Sequence, residues 1–194
     1  MATASSGSRR KARSSRGPEV ELLRVGHRAG RDPRLTTHLA LAARAFGAAR
    51  MYLHPPDPDL AKRLDAVALR WGGSFRVVPT DDWKKLVRAY PGAVVHLTMY
   101  GEPLERILPQ MRKEPRLLLV VGGAKVPSEL YRLSRWNVGV GHQPHSEVAA
   151  VAVTLVRLFG VPDARPFSRA RQRVVPQSRG KRVDHRGEDG RWNR

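Results

Sequence analysis

The chain has 194 residues, 41% of them hydrophobic, and carries 36 Lys and Arg against 17 Asp and Glu, a formal charge of +19. That is enough for one domain with its own core, and the cationic excess favours a polyanionic partner such as nucleic acid over a merely soluble basic protein. The absence of cysteine excludes disulfides, zinc-thiolate sites and thiol nucleophiles; no apolar run is long enough to cross a bilayer and no signal-peptide segment opens the chain, so the expected location is cytoplasmic.

Residues 1–17 are rich in Ser, Arg and Gly and contain five basic and no acidic residues, the composition of a disordered basic tail. Val20 to Val25 reads as a first strand, followed by a loop, GHRAGRDPRLTT, rich in glycine and arginine. Thr36 or Thr37 is placed to cap a helix running to Phe46. Ala49 to Leu53 forms a second strand, and Leu60, Leu64, Val67, Ala68 and Trp71 keep helical period up to the Gly72-Gly73 stop. Phe75 to Val78 is a third strand, and Thr80 is placed to cap a short helix from Asp81 to Tyr90.

Ala93 to Leu97 is a fourth strand that breaks into the turn TMYGEP, and a helix runs from Leu104 to about Arg112. Arg116 to Val121 is apolar on both faces, as a central parallel strand should be, and ends in GGAKVP. A short helix from Ser128 leads to a sixth strand, Asn137 to Val140, and then to the polar turn Gly141-His142-Gln143-Pro144-His145. Ser146 or His145 can cap the apolar helix that follows, with Glu147 in its first turn, where the helix dipole favours a carboxylate. Residues 163–194, with ten basic and four acidic residues, read as a mostly irregular basic extension.

Strict alternation of strands and helices predicts an α/β fold on a mostly parallel six-stranded sheet with helices on both faces, covering residues 18–162. Three turns then meet at the carboxyl edge of that sheet: Thr98 to Glu102, Gly122 to Pro127 and Gly141 to Ser146. Glycines at the start of two of them let backbone groups approach a ligand closely. GGAKV lacks the Gly-Lys-Ser/Thr ending of a phosphate loop, which argues against nucleotide hydrolysis. His142, His145 and Glu147 invite a metal reading, but Pro144 breaks the helical pairing and no third ligand stands nearby; no metal is expected. Ser146 beside His145 lacks the surroundings of a nucleophile elbow. Arg28, Arg31, Arg34 and His38 offer cations able to grip phosphate, with Asp32 able to orient a guanidinium.

Four segments, HRAGRDPRLTTHLALAARAFGA, HLTMYG, VVGGAKVP and WNVGVGHQPHSEVAA, resemble in order and spacing the archaeal tRNA (cytidine(56)-2′-O)-methyltransferase family, a branch of the SPOUT class. The resemblance covers roughly Leu22 to Gly160. His142 stands where that family often has Asn, and Ala124 where Glu is common. The resemblance implies S-adenosyl-L-methionine as methyl donor, the ribose 2′-hydroxyl of a T-loop cytidine in tRNA as acceptor, a C-terminal trefoil knot and a homodimer. Carried over by position, the cofactor site comprises Leu97, Gly122, Gly123, Ala124, Lys125 and Val126, together with Val140, Gly141, His142, Gln143, Pro144, His145, Ser146 and Glu147. Arg28, Arg31, Arg34 and His38 are the expected RNA-binding residues, with Arg34 first and Arg31 second as catalytic candidates. The motif arginine that assists the base step in many relatives of the wider class has Leu41 at its position here. An RNA base methyltransferase of the same class and a non-enzymatic RNA-binding protein are the alternatives.

Overall fold

The computed structural model describes residues 17–31, 33–123 and 126–193. The expected N-terminal tail up to residue 16, together with Asp32, Ala124, Lys125 and Arg194, lies outside them. Twelve elements alternate: β1 (Glu19–Val25), α1 (Pro33–Ala45), β2 (Arg50–His54), α2 (Pro58–Trp71), β3 (Arg76–Pro79), α3 (Trp83–Ala89), β4 (Ala93–Pro103), α4 (Leu104–Met111), β5 (Arg116–Gly122), α5 (Ser128–Leu133), β6 (Trp136–Gly139) and α6 (Glu147–Phe159). The six strands form one sheet in the order β3-β2-β1-β5-β4-β6, and every pairing is parallel. This is the expected α/β architecture.

Alternate residues of the central strands feed two cores. Leu22, Leu119, Val121 and Val95 pack with α1, α2, α4 and α6 on one face, while Leu23, Val25, Leu118 and Val120 pack with Trp83 and Val87 of α3 and Leu130 of α5 on the other. β5 lies between β1 and β4 with Leu117 to Val121 all buried, which explains why it has no polar face.

Helix starts follow local chemistry. Asp57 caps α2 by accepting from the Leu60 N–H at 2.9 Å, Asp82 caps α3 by accepting from Lys85, and Ser146 caps α6 by accepting from Ala149. Three expectations need correction. Helix α1 begins at Pro33, so Thr36 is not its cap but a fully buried residue inside it, and Arg34 and His38 stand on the helix rather than in a loop. Asp82, not Thr80, opens α3. The TMYG turn is an excursion within a single long strand: Leu97 and Glu102 both pair with Val138, and the residues between them bulge out of the ladder.

The C-terminal extension, read as mostly irregular, is tied down. It forms a small antiparallel sheet of β7 (Gln172–Val174), β8 (Val183–Arg186) and β9 (Trp192–Asn193), in the order β7-β8-β9. Asp184, 1% exposed, accepts from the guanidinium groups of Arg173 and Arg182. Those two hold its carboxyl below the usual range, Arg182 most strongly. Arg173 and Arg186 lie 4.8 and 5.8 Å from the Trp192 ring. The module docks on the end of α2 through Gly73 N–H to Ser168 O at 2.8 Å and Arg171 N–H to Arg70 O at 2.9 Å. Gly72 (φ 75, ψ −170) makes that docking possible, since a Cβ there would sit 2.5 Å from Ser168 O.

Candidate active site

In a sheet of this order, β1 leads through α1 to β2 on one side while β5 leads through α5 to β6 on the other. The crevice between β1 and β5, outside their carboxyl ends, is therefore the topological switch point where open α/β sheets hold ligands. Val25 at the end of β1 pairs with Gly122 at the end of β5, so the cationic loop after β1 and the glycine turn after β5 leave the sheet side by side. The loop after β6 arrives at the same edge, because its last residues lead into α6 and Glu147 of α6 meets Arg24 of β1.

That contact is a short ion pair across the site. Arg24 Nη1 donates to Glu147 Oε1 at 2.6 Å; the arginine side chain is 1% exposed and the glutamate side chain 20%. A guanidinium is not neutralised by burial, so the carboxylate is required to offset its lost hydration. Glu147, expected among the cofactor contacts, thus spends one oxygen bracing the start of α6 against β1. Arg24 escaped the sequence reading, although a lone arginine in the strand EVELLRV is a visible signal.

The turn after β6 is open, with residues 141–146 all exposed. Gly141 takes φ 73, a left-handed conformation suited to glycine. His142 Nε2 lies 3.0 Å from Gly101 O and His145 Nε2 donates to Val140 O at 2.6 Å, so both imidazoles brace the loop backbone. The β4 excursion is locked beneath it: a Cβ on Gly101 would stand 2.3 Å from Val138 N. Among the described residues, no group of three or more His, Asp and Glu could hold a metal ion. The two glycines of the β5 turn differ. A Cβ on Gly122 would meet Val126 Cγ1 at 2.2 Å, whereas one on Gly123 would meet nothing within 4 Å. Gly122 is a packing glycine, and Gly123 faces free space. Leu97, 7% exposed, belongs to the core beneath these loops.

The cationic loop is anchored by a second feature that sequence reading missed. His27, 3% exposed, follows the strand-ending Gly26; its Nδ1 lies 2.9 Å from Thr36 Oγ1 and its Nε2 3.1 Å from Asp57 Oδ2. Asp57 is held ionised below the ordinary carboxylate range, first by the Leu60 N–H and further by His27. This bridge fixes the loop to the starts of both α1 and α2. Arg28, Arg31, Arg34 and His38 are all exposed around it. Arg34 and His38 share a depression with Thr37 and with Arg63 of α2. A concavity of about 1300 Å³ lies at the opposite, amino edge of the sheet and takes no residue from these loops.

Below the β4 and β6 ends, His96 is 1% exposed, with Nδ1 2.9 Å from Asn137 Oδ1 and its ring edge-on to Tyr131 at 4.6 Å. Burial pushes its pKa down, with the Asn137 bond opposing. The unfolded chain therefore binds this proton more readily than the folded one. The stability owed to neutral His96 is complete above its unfolded pKa of about 6.5 and is lost as the pH falls toward the lower folded value. Urea midpoints of the wild type should fall as the pH drops below about 6.5 more steeply than those of His96→Gln; parallel curves would refute the assignment.

The same arrangement of strands and helices occurs in the SpoU methyltransferase AviRb from Streptomyces viridochromogenes solved with AdoMet (TM-score 0.55, 15% identity, covering 74% of this chain and 57% of that one). It occurs also in an rRNA methyltransferase from Sinorhizobium meliloti (TM-score 0.56, 18% identity, 74% and 56%) and in the TrmH/SpoU tRNA modifying enzyme of A. aeolicus (TM-score 0.54, 11% identity, 74% and 75%). At such identities the likeness defines the fold, that of the SpoU and TrmH methyltransferases within the SPOUT class.

Residues 71–184 match the family model described as tRNA ribose 2′-O-methyltransferase, aTrm56. Proteins named tRNA (cytidine(56)-2′-O)-methyltransferase are 46% identical over 172 residues in Methanopyrus kandleri (86% of this chain, 97% of that protein) and 47% over 165 in Archaeoglobus fulgidus (85% and 98%). In Haloarcula marismortui the figure is 48% over 171 residues (86% and 94%). The chain belongs to the tRNA (cytidine(56)-2′-O)-methyltransferase family. The family match runs on to residue 184, well past the Gly160 limit of the motif resemblance, and so takes in β7 and the start of β8 of the docked module.

Proposed function

We propose that the chain transfers a methyl group from S-adenosyl-L-methionine to the 2′-hydroxyl of cytidine 56 in the T-loop of tRNA. The observation that carries this reading is the meeting, at the switch point of the sheet, of two glycine-bearing loops with a cationic one. The residues fit such a cofactor. Free space beside Gly123, the left-handed Gly141 and the exposed 141–146 turn leave backbone groups available at the sheet edge, above the apolar Leu97. The 122–126 and 140–147 segments would hold it. Bound there, the sulfonium supplies a methyl group with a neutral thioether as leaving group.

The chain's own task is to position the ribose and help its proton depart. A 2′-hydroxyl is a poor nucleophile at neutral pH, so its proton must leave in or before the transition state. Arg34, with Arg31 second, holds the adjacent phosphate and lowers the hydroxyl pKa by its charge. Alignment and exclusion of water supply most of the rate.

A homodimer belongs to this reading. Helix α6 buries Val151 and Leu155, yet Val153 on its outer face is 43% exposed and Val148, Ala152 and Val156 are only half-buried. An outer face that is apolar from Val148 to Val156, before Arg157, calls for a second covering surface, and a copy of this chain supplies it. The trefoil knot, a basic N-terminal tail over residues 1–17, a catalytic unit over 18–162, a tRNA-binding extension over 163–194 and a cytoplasmic location complete the proposal; no helix among the described residues is long and apolar enough to cross a membrane.

Incubation of unmodified tRNA with methyl-tritiated cofactor, followed by nuclease digestion, should place the label on the ribose of cytidine 56. Label on a base would favour a base methyltransferase. No label, with no thermal shift on adding cofactor, would favour an RNA-binding protein without methyl-transfer activity.

A further inference from the structure

A cation cluster stands where α1 and α2 lie side by side, outside the crevice between β1 and β5. Arg34, Thr37 and His38 of α1 and Arg63 of α2 line a depression of about 240 Å³. Arg34, His38 and Arg63 are exposed, and among the described residues none of the three has an ion pair. Among the described residues the nearby carboxylates have closer partners or face solvent. Asp57 takes the Leu60 N–H on one oxygen and His27 on the other and feels Arg63 as a weaker charge, Asp65 pairs with Arg76, and Asp59, one turn before Arg63, is exposed. No acidic residue stands in the first turn of α1.

The geometry is rigid where it matters. The buried His27 bridge joins Thr36 of α1 to Asp57, the cap of α2, directly beside the cluster. The spacing between Arg34 and Arg63 is thereby set by the fold and not by loop motion. The lining is two guanidinium groups, an imidazole and a hydroxyl, all able to donate hydrogen bonds and none of them acidic. Those groups suit a tetrahedral anion held by charge-assisted hydrogen bonds.

Building on the tRNA-methylating reading, we propose that this pocket receives one backbone phosphate of the tRNA, gripped by Arg34 and Arg63 with Thr37 and His38 completing the cradle. Arg63 is then an RNA-anchoring residue on α2, and the contact fixes the register of the RNA without reading a base.

The test compares Arg63→Ala, Arg63→Lys and Arg88→Ala, the last removing an equal charge from exposed α3 on the opposite face of the sheet. Filter binding of a tRNA transcript should weaken roughly tenfold for Arg63→Ala, with the slope of log affinity against log salt reduced by about one; Arg63→Lys should recover part of the loss. Calorimetric affinity for S-adenosyl-L-methionine should not change. Single methylphosphonates placed along the T-arm should reveal one position that weakens the wild type as much as Arg63→Ala does and adds nothing to that variant. Equal losses in Arg63→Ala and Arg88→Ala would overturn the pocket in favour of diffuse attraction, as would methylphosphonate losses unaffected by the variant. A tRNA bound with this Arg63 dependence yet never methylated would sink the methyl-transfer reading and leave the pocket standing.

Discussion

Glu147→Ala should cost about 1.5–3 kcal/mol of folding stability, more than removal of its far more deeply buried partner. The asymmetry follows from where each charge is left. Taking away the glutamate removes a carboxylate 2.6 Å from a guanidinium that is 1% exposed and does not lose its proton to escape burial. Taking away the arginine, as in Arg24→Met, leaves a carboxylate that is already 20% exposed and sits in the first turn of α6, where the helix dipole favours it. Methionine also fills most of the vacated space with an adaptable chain. Joining Arg24→Met to Glu147→Leu should recover much of the loss, because a buried ion pair replaced as a unit by apolar groups is often neutral. Urea denaturation of the two single variants and the double variant measures all three terms. Glu147→Ala within about 1 kcal/mol of the wild type, or costing less than Arg24→Met, would mean that the pair does not carry the junction of β1 and α6. Because that junction seats the 140–147 turn, Glu147→Ala should also weaken cofactor binding.

The sheet and its layers were legible because apolar period decides them. Leu117 to Val121, apolar on both faces, had to be a central strand, and the glycine turns after β5 and β6 had to leave one edge once the sheet was parallel. What escaped was polar and long-range. Thr36 stands before an apolar run and looks like a cap, and only the fold brings His27 and Asp57 together around it. Arg24 and Glu147 are 123 positions apart, so their pairing left no trace in local spacing. The C-terminal sheet is built of QRV and VDHR, strands without an apolar face, held by Arg173 and Arg182 on Asp184 and by cations against Trp192. Ion pairs and cation–π stacks of that kind look, in sequence, like a basic tail. The expected threading and dimerisation have no signal in period and rest on family resemblance alone.

Equal amounts of Arg34→Ala and Gly141→Val subunits, each inactive by itself, should regain about a quarter of wild-type activity after exchange. Gly141 holds φ 73, which a β-branched residue adopts only under strain, so valine should disrupt the 141–146 turn and weaken cofactor binding at least tenfold. Arg34 is exposed on the first turn of α1, with no ion pair among the described residues and free to reach a neighbour, so alanine there should depress methyl transfer while leaving cofactor affinity intact. The lesions thus fall on different halves of the reaction. If the arginine of one subunit serves the cofactor loop of the other, a mixed dimer contains one composite site free of both lesions and one bearing both. Random exchange makes half of the dimers mixed, and each has one working site of two. If instead each chain completes its own site, every site in the mixture carries one lesion and activity stays at the level of the separate variants. Subunit exchange, verified by mass, makes the comparison decisive: recovery near a quarter assigns Arg34 to the partner's cofactor, and no recovery assigns it to its own.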